Sequence, residues 1–358
     1  MILHLVGPGP GALAAPEIAR EIAGSGRRVE VILEPGARHF VGPAAFENPV
    51  DEPSELPEAV LCAPATAGIL ARLARGLDGN IVGARSVIVA PDLDPFTAEH
   101  PAVEENLALL REDGCRVIPG RGEGMAPAAE VVARVLGGLG GPMSGIRLLV
   151  TAGGTHEPMD SVRFIGNRSS GKMGLAVARE AVRLGARVTV VAANVETAEP
   201  GTETYAVETV EQLRAEVLRR AAEADALVMA AAVSDFTPAA PVKEKIRRGE
   251  GGLSLELQAT ADVLGAVRVR YPDLFVVGFA ATHGDPVADA REKLGSKGVN
   301  LVVGNDISRQ DIGFGADDNE VYVVGRERER FVPRASKRDV ARVILDSLLE
   351  EMSKERQE

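Results

Sequence analysis

Residues 147–174, RLLVTAGGTHEPMDSVRFIGNRSSGKMG, bring together the residue types that hold an anion. A short apolar run (Leu148, Leu149, Val150) leads into Gly153, Gly154 and Thr155. After a polar loop, Ser169, Ser170, Gly171 and Lys172 open an amphipathic helix. Glycines let backbone amides approach a ligand closely, and a helix start supplies unpaired N–H groups and a positive dipole end. These seven residues therefore read as an anion cradle. The phosphate-loop pattern GxxxxGK[ST] is nearly met at Gly166 but ends in Met173, which has no hydroxyl for a metal, and it lies too far beyond its strand. A dinucleotide fingerprint fails because no third glycine follows Gly153 and Gly154 at the needed spacing. The plain alternative is a loop and helix cap that serve only the fold.

Three further loops have similar chemistry. One is AAAVSD, with Ala231, Ala232 and Asp235, continuing to Lys245; a second is VGFAA, with Phe279; a third is GNDIS at 304–308, preceded by Lys293 and Lys297. Lysines suit phosphates, Phe279 offers a face to a planar base, and small residues admit that base to the backbone. Taken singly, each has a bland reading: Lys293 and Lys297 have the spacing of a solvated helix face, Asp235 suits a turn, Asn167 suits a helix cap and Phe279 suits a core.

The elements that must position these loops follow from hydrophobic pattern. Strands are expected near 2–6, 28–33, 58–62, 85–90 and 115–118, then near 147–151, 187–192, 226–232, 275–280, 299–304 and 320–325. Helices are expected near 12–25, 66–76, 101–113 and 126–136, then near 172–185, 208–224, 285–297 and 335–352, the tail at 350–358 being frayed helix. Non-alternating apolar runs such as ALVMAAA at 226–232 fit strands covered on both faces. The fold class is therefore α/β, with two doubly wound, Rossmann-like parallel-sheet domains. We place them at 1–136 and 146–358, joined by a glycine-rich linker at 137–145 whose glycines do not support a helix. Ligands of such sheets bind beyond the carboxyl ends of the strands, where all four loops fall. The charged, glycine-rich segment 241–252 reads as a solvated loop or as a lid over an anionic ligand.

With 358 residues there is length for two cores, and the formal net charge of −12 argues against general nucleic-acid or anionic-membrane binding. Against that background, clustered lysines are informative. Cys62 and Cys115 lie in apolar runs and read as buried small hydrophobes, which suits a reducing cytoplasm. No run approaches a membrane span, no signal peptide is expected at the N-terminus, and the five histidines show no metal-ligand spacing, so any metal site is left unknown.

The second half closely resembles phosphopantothenate–cysteine ligase, the ligase domain of a bifunctional coenzyme A biosynthesis protein. The blocks TAGGTxEPxDxVRFIxNRSSGKMG, AAAVxD, EKI, GFAA, AREKLxxKG and NDxSxxxIGFGxDDN stand in order from Thr151 to Asn319. The resemblance implies that the carboxylate of 4′-phosphopantothenate attacks the α-phosphate of CTP, brought with Mg²⁺, and that the amine of L-cysteine then displaces CMP. It implies contacts to the nucleotide from Asp235 and the Ala231 and Ala232 backbone. Walls would come from Ala261, Asp262, Val263, Leu264 and Phe279, and lysine contacts to the triphosphate from Lys245, Lys293 and Lys297. Asn167 would steady the acyl-cytidylate with Arg163 nearby. It also implies a homodimer or larger homo-oligomer. Three positions depart from the family: ATAD at 259–262 replaces KNPD, Thr282 replaces Glu, and His156 replaces Arg. The choice of CTP over ATP is left open.

Residues 1–136 resemble the flavin-dependent decarboxylase domain of the same bifunctional protein, through AAPEI at 14–18, APATA at 63–67, LARG at 73–76 and EHP at 99–101. Its chemistry is eroded. PxMN has become PDLD at 91–94, the cysteine loop is shortened to GRGEGMA at 120–126, the catalytic histidine is missing, and Gly68 stands where Asn is expected. Decarboxylation needs FMN and a cysteine donor. Loss of that activity is expected, and the joint change of cofactor-facing positions argues against FMN binding. Two other readings compete for the whole chain: a nucleotide-binding scaffold or regulatory protein without turnover, and a nicotinamide oxidoreductase, which the missing fingerprint disfavours.

Overall fold

The computed structural model describes residues 1–79, 84–120, 124–196, 198–247, 253–308 and 315–355. Parts of four segments singled out above lie outside them: 121–123 of the shortened loop, 248–252 of the charged segment, 309–314 of the IGFG block, and 356–358 of the tail. The chain forms two compact units, 1–141 and 142–358.

In the first unit, β1 (Ile2–Val6), α1 (Ala15–Ala23), β2 (Val29–Leu33), β3 (Ala59–Ala65), α2 (Ala67–Ala74), β4 (Ser86–Pro91), α3 (Pro95–Ala98), α4 (Pro101–Glu112), β5 (Arg116–Val117) and α5 (Ala128–Gly138) follow in order. All five strands are parallel, in the order β2-β1-β3-β4-β5. This is the flavodoxin-like variant of the doubly wound sheet, whose crevice lies at the carboxyl end of β1 and β3. Every residue of β1 and β3 is buried, as a sheet covered on both faces requires. Contrary to expectation, Gly137 and Gly138 belong to α5. A Cβ at Gly138 would lie 0.9 Å from Arg116 Nη1, so the missing side chain gives the guanidinium its path.

The second unit contains β6 (Arg147–Gly153), β7 (His156–Pro158), β8 (Phe164–Gly166), α6 (Lys172–Arg183), β9 (Arg187–Ala193), β10 (Thr202–Val207), α7 (Val210–Ala221), β11 (Ala226–Met229), β12 (Phe236–Pro238) and β13 (Leu257–Ala259). It continues with α8 (Val263–Arg270), β14 (Phe275–Thr282), α9 (Pro286–Lys297), β15 (Leu301–Asp306), β16 (Asp318–Val324), β17 (Glu329–Ser336) and α10 (Lys337–Glu355). The main sheet runs β10-β9-β6-β11-β14-β15-β16-β17. Its six parallel strands, renumbered along the chain, give the Rossmann order 3-2-1-4-5-6, with the switch point between β6 and β11.

The sheet is not purely parallel. Strands β16 and β17 are joined by a tight turn, with the Gly325 amide donating to Arg328 O at 2.8 Å, and such a turn forces an antiparallel pair. Strand β11 ends at Met229, three residues earlier than expected, because Ala231 and Ala232 give their amides elsewhere: Ala231 to Thr151 Oγ1 at 3.1 Å and Ala232 to Gly153 O at 2.8 Å.

Alternation in β6 sorts the helices onto two faces. Leu149 joins the core made by Leu213 and Val217 of α7, Val263 and Val267 of α8, and Ala290 of α9. Ala152, on the opposite parity, lies under α6: a Cβ at Gly174 would come within 2.7 Å of Ala152 Cβ. Helix α10 packs on α6.

Candidate functional site

A cleft of about 550 Å³ opens at the switch point of the second unit. It is lined by the start of α6, the loop after β11, the start of α8, the end of β14 and the inner side of α9. Of the residues expected at the site, Asn167, Ser169, Ser170, Gly171, Lys172, Ala231, Ala232, Asp235, Ala261, Asp262, Val263, Leu264, Phe279, Lys293 and Lys297 line it. They come from loops up to ~130 positions apart in sequence, gathered because parallel strands all end on one edge.

Local hydrogen bonds explain the placement. Asn167 Nδ2 donates to Val233 O at 3.0 Å, tying the α6 loop to the β11 loop. Thr260 stands where the resembled family has Asn, and its hydroxyl donates to Ser234 O at 2.6 Å while its amide donates to Asp235 O at 3.0 Å. Asp262 caps α8, accepting the Gly265 amide at 3.0 Å, and receives Lys297 Nζ at 2.7 Å. Burial pushes the Asp262 carboxyl up, but Lys297, the Gly265 amide and Lys293 outweigh that and hold it below the usual range. Lys293 Nζ donates to Phe279 O at 2.6 Å. Burial and then the charge of Lys297 push the Lys293 ammonium down, against the pull of Asp235 and Asp262.

Five expected residues do not line the cleft. Gly153, Gly154 and Thr155 lie beneath it, with their polar groups already used. The Gly154 amide donates to Ala193 O at 3.1 Å, the Thr155 amide to Ala232 O at 3.2 Å, and Thr155 Oγ1 accepts the Ser234 amide at 2.9 Å. Gly153, at φ 89°, allows a close backbone approach: a Cβ there would lie 1.9 Å from Ala193 O. These three residues brace the floor instead of offering donors to an anion. Lys245 is exposed away from the cleft, and Arg163 is beside it in space through Ile246. The reason is an anchor at Asp160. Its carboxylate accepts the Ile246 amide at 3.1 Å and Arg163 Nη1 at 2.8 Å, and Arg163 Nη1 also reaches Ile246 O at 3.3 Å. Burial pushes the Asp160 carboxyl up, but the Val162, Arg163 and Ile246 amides and the Arg163 charge prevail and hold it low. With Val242 N on Met159 O at 3.0 Å, residues 242–246 are fastened to the β7–β8 hairpin, not to the cleft rim.

Sequence reasoning missed Lys337, Asn319 and Thr260 as lining residues, and passed over Arg168. Lys337 opens α10, far beyond the motif blocks; the available signal was Ser336 with Asp339, whose side chain and amide form a helix-start capping pair. Altogether Arg168, Lys172, Lys293, Lys297 and Lys337 stand with Asp235 and Asp262 among the described residues of the lining. Among the described residues no group of three or more His, Cys, Asp or Glu stands together as a metal site. No helix there is long and apolar enough to cross a membrane.

The first unit has a different crevice. Asp92, just after β4, accepts the Gly11 amide at 3.0 Å through one oxygen and the Met125 amide at 2.9 Å through the other. Its Oδ2 lies 2.8 Å and 2.9 Å from where Cβ atoms of Gly9 and Gly11 would stand, so this carboxylate fills the space over the glycine loop. A flavin nucleotide would bring a phosphate to amides that already hold an anion, and the residues present do not fit it. Asp94 caps α3 by accepting the Thr97 amide at 3.0 Å. His4 is wholly buried in β1, with Nε2 2.8 Å from Ala63 O, and burial pushes its imidazole down to about 4 despite that contact.

Strand order and cleft together define a doubly wound domain with a lysine-lined cleft at its switch point. Residues 143–352 match the DNA/pantothenate metabolism flavoprotein C-terminal domain. The coenzyme A biosynthesis bifunctional protein CoaBC of Mycobacterium bovis is 38% identical, across 96% of this chain and 95% of that protein. Its counterpart in Bacillus subtilis is 31% identical, across 97% and 96%. A crystal structure of the C-terminal domain of a coenzyme A biosynthesis bifunctional protein CoaBC is similar in fold, with a TM-score of 0.51, 31% identity, and coverage of 60% of this chain and 98% of that one. The chain belongs to the family of coenzyme A biosynthesis bifunctional proteins.

Proposed function

We propose that the second unit is a CTP-dependent ligase that joins 4′-phosphopantothenate to L-cysteine. The observation that carries this reading is charge: among the described residues five cations and two carboxylates line one cleft, in a chain whose formal net charge is −12. A carboxylate approaching a triphosphate is anion meeting anion, and the barrier falls when fixed cations spread that charge and hold the groups in line. The acid's carboxylate attacks the α-phosphorus and pyrophosphate leaves, giving an acyl-cytidylate. The cysteine amine then attacks the acyl carbon, loses a proton and expels CMP. Both nucleophiles belong to substrates, so no nucleophilic side chain is needed. Mg²⁺ travels with the nucleotide as part of the substrate.

In this reading Asp235 and the Ala231 and Ala232 backbone hold the cytidine, while Phe279 and residues 261–264 wall it. Lys293 and Lys297 meet the triphosphate, and Asn167 steadies the acyl-cytidylate. Lys245 and Arg163 sit on the arm anchored at Asp160, beside exposed Val162, Phe164, Phe236 and Leu257. That apolar surface supports a homodimer in which the arm serves the cleft of a second copy. We also infer that the first unit is a scaffold without FMN or decarboxylase activity, on the strength of the Asp92 carboxylate. The deciding experiment is pyrophosphate release with each nucleotide and each substrate omitted in turn. Release should require CTP and 4′-phosphopantothenate, and the ligation product should require cysteine. Nucleotide binding without pyrophosphate under saturating substrates would favour a scaffold.

A further inference from the structure

Hydroxyl groups hold the chain that leads from β11 to Asp235. Strand β11 ends at Met229 and β6 at Gly153, yet one further parallel bridge joins Gly154 and Ala232. In it the Ala232 amide donates to Gly153 O at 2.8 Å, and the Thr155 amide donates to Ala232 O at 3.2 Å. The next rung of a parallel ladder would take the Ser234 amide to the Thr155 carbonyl. It goes to Thr155 Oγ1 instead, at 2.9 Å. By this point the backbone has turned away, with the His156 amide on Glu208 O at 2.9 Å. A side-chain oxygen thus stands in for a carbonyl and carries the pairing one rung beyond both strands.

A second threonine takes the carbonyl of Ser234. Thr260 Oγ1 donates to it at 2.6 Å, and the Thr260 amide donates to Asp235 O at 3.0 Å. Thr260 belongs to ATAD at 259–262, where this chain departs from the family's KNPD. Thr155 is fully buried and Ser234 nearly so, whereas Asp235 is exposed on the cleft wall. Among the described residues no hydrogen bond holds the Asp235 carboxylate, so the main chain sets where that charge stands. The charge is felt across the cleft at Lys293. Burial and then Lys297 push that ammonium down, and Asp235 is the larger of the two opposing pulls.

We propose that Thr155 and Thr260 are positioning residues of the nucleotide site, which clamp Ser234 and thereby fix the place of Asp235. This rests on the reading of Asp235 as a nucleotide contact, and it deepens that reading by naming what aims the carboxylate. Thr155 is fully buried, so any effect it has on binding passes through what it holds. A carboxylate holds a nucleoside by accepting from its hydroxyls or amine, and such bonds weaken steeply when the acceptor is misplaced. Valine in place of Thr155 keeps the shape but leaves the buried Ser234 amide without an acceptor, which costs more than the bond alone. The loop relieves that cost by moving, and Asp235 moves with it.

The test uses the full chain, as wild type, Thr155→Val, Thr155→Ser, Thr260→Val and Asp235→Asn. Calorimetric titration with CTP alone reads the clamp without requiring turnover, and pyrophosphate release reads it in catalysis. Thr155→Val should weaken CTP binding and raise its KM about 10- to 30-fold, and Thr260→Val about fivefold. Both should leave the KM for 4′-phosphopantothenate within about threefold, and Thr155→Ser, which keeps the oxygen, should hold CTP within about threefold of wild type. In the Asp235→Asn background, Thr155→Val should add less than about twofold, because the loss passes through that carboxylate. Losses that multiply in the double variant, a serine variant as weak as the valine one, or an equal rise in the KM for the acid would each overturn the assignment. If Thr155→Val does not fold, Thr260→Val and its combination with Asp235→Asn decide alone. Wild-type protein that binds CTP through this clamp yet releases no pyrophosphate would sink the ligase reading and leave the clamp standing. Turnover in wild type, with CTP bound normally by both valine variants, would sink the clamp and leave the ligase reading intact.

Discussion

The two sheets of this chain end in crevices that treat an anion in opposite ways. In the second unit, cations from both faces of the sheet surround open space. In the first, the equivalent edge is closed by the protein's own carboxylate, with Asp92 taking the amides of Gly11 and Met125. A doubly wound fold thus guarantees only where a ligand could bind; the side chains at the strand ends decide whether one does.

The contrast can be broken most forcefully at the open cleft. Asn167→Ala should lower turnover about 10²- to 10³-fold if this amide meets charge that develops during reaction. Lys245→Ala should match it at about 10²-fold, and mixing the two inactive variants should regain activity through hybrid dimers. Near-normal rates in both would remove these residues from the mechanism. In the first unit the largest effect is on stability. His4 is held neutral at about 4 in the folded chain, against 6.5 when exposed. The unfolded state therefore takes up a proton first as pH falls below ~6.5, and stability drains until pH passes the folded value, by about 3 kcal/mol in all. Hydrogen exchange at β1 and β3 between about pH 7 and pH 4 reads this loss; His4→Gln should flatten it. Asp92→Ala should cost about 1–3 kcal/mol by leaving two amides unpaired, measured by urea melts of the full chain. A flavin spectrum in the purified wild-type protein would break the comparison outright. The smallest effect belongs to Thr260→Val, which removes one hydrogen bond between cleft loops and should cost about 1 kcal/mol, seen as a modest rise in the KM for CTP.

Much of this arrangement was legible in the sequence, for identifiable reasons. Buried parallel strands such as β1 and β3 announce themselves as apolar runs, and the loops that follow them inherit a common edge. Other elements gave weaker signals. Strand β10, TETYAV, lies at the sheet edge with half-exposed polar residues. Helix α8, VLGAVRVR, combines a glycine with three valines, a poor helical composition that Asp262 rescues by capping. The roles of Gly153, Gly154 and Thr155 were misread because a glycine–threonine loop looks alike whether its donors face a ligand or brace a neighbouring strand. Only the three-dimensional arrangement distinguishes these cases. Lys337 was only weakly signalled for another reason: Ser336 and Asp339 mark the start of its helix, but its place at the cleft comes from the packing of α10 on α6, a contact between elements far apart in the chain.

One consequence follows from the two threonines under the cleft. Thr151 and Thr155 are fully buried, and their hydroxyls receive the Ala231 and Ser234 amides at 3.1 Å and 2.9 Å. Bonded from below, the loop after β11, on which the cytidine rests in the proposed reading, has fixed partners within the protein itself. Capture there forfeits little chain entropy, so recognition at that loop should behave as lock-and-key, with association rates governed by diffusion and long-range attraction rather than by loop rearrangement.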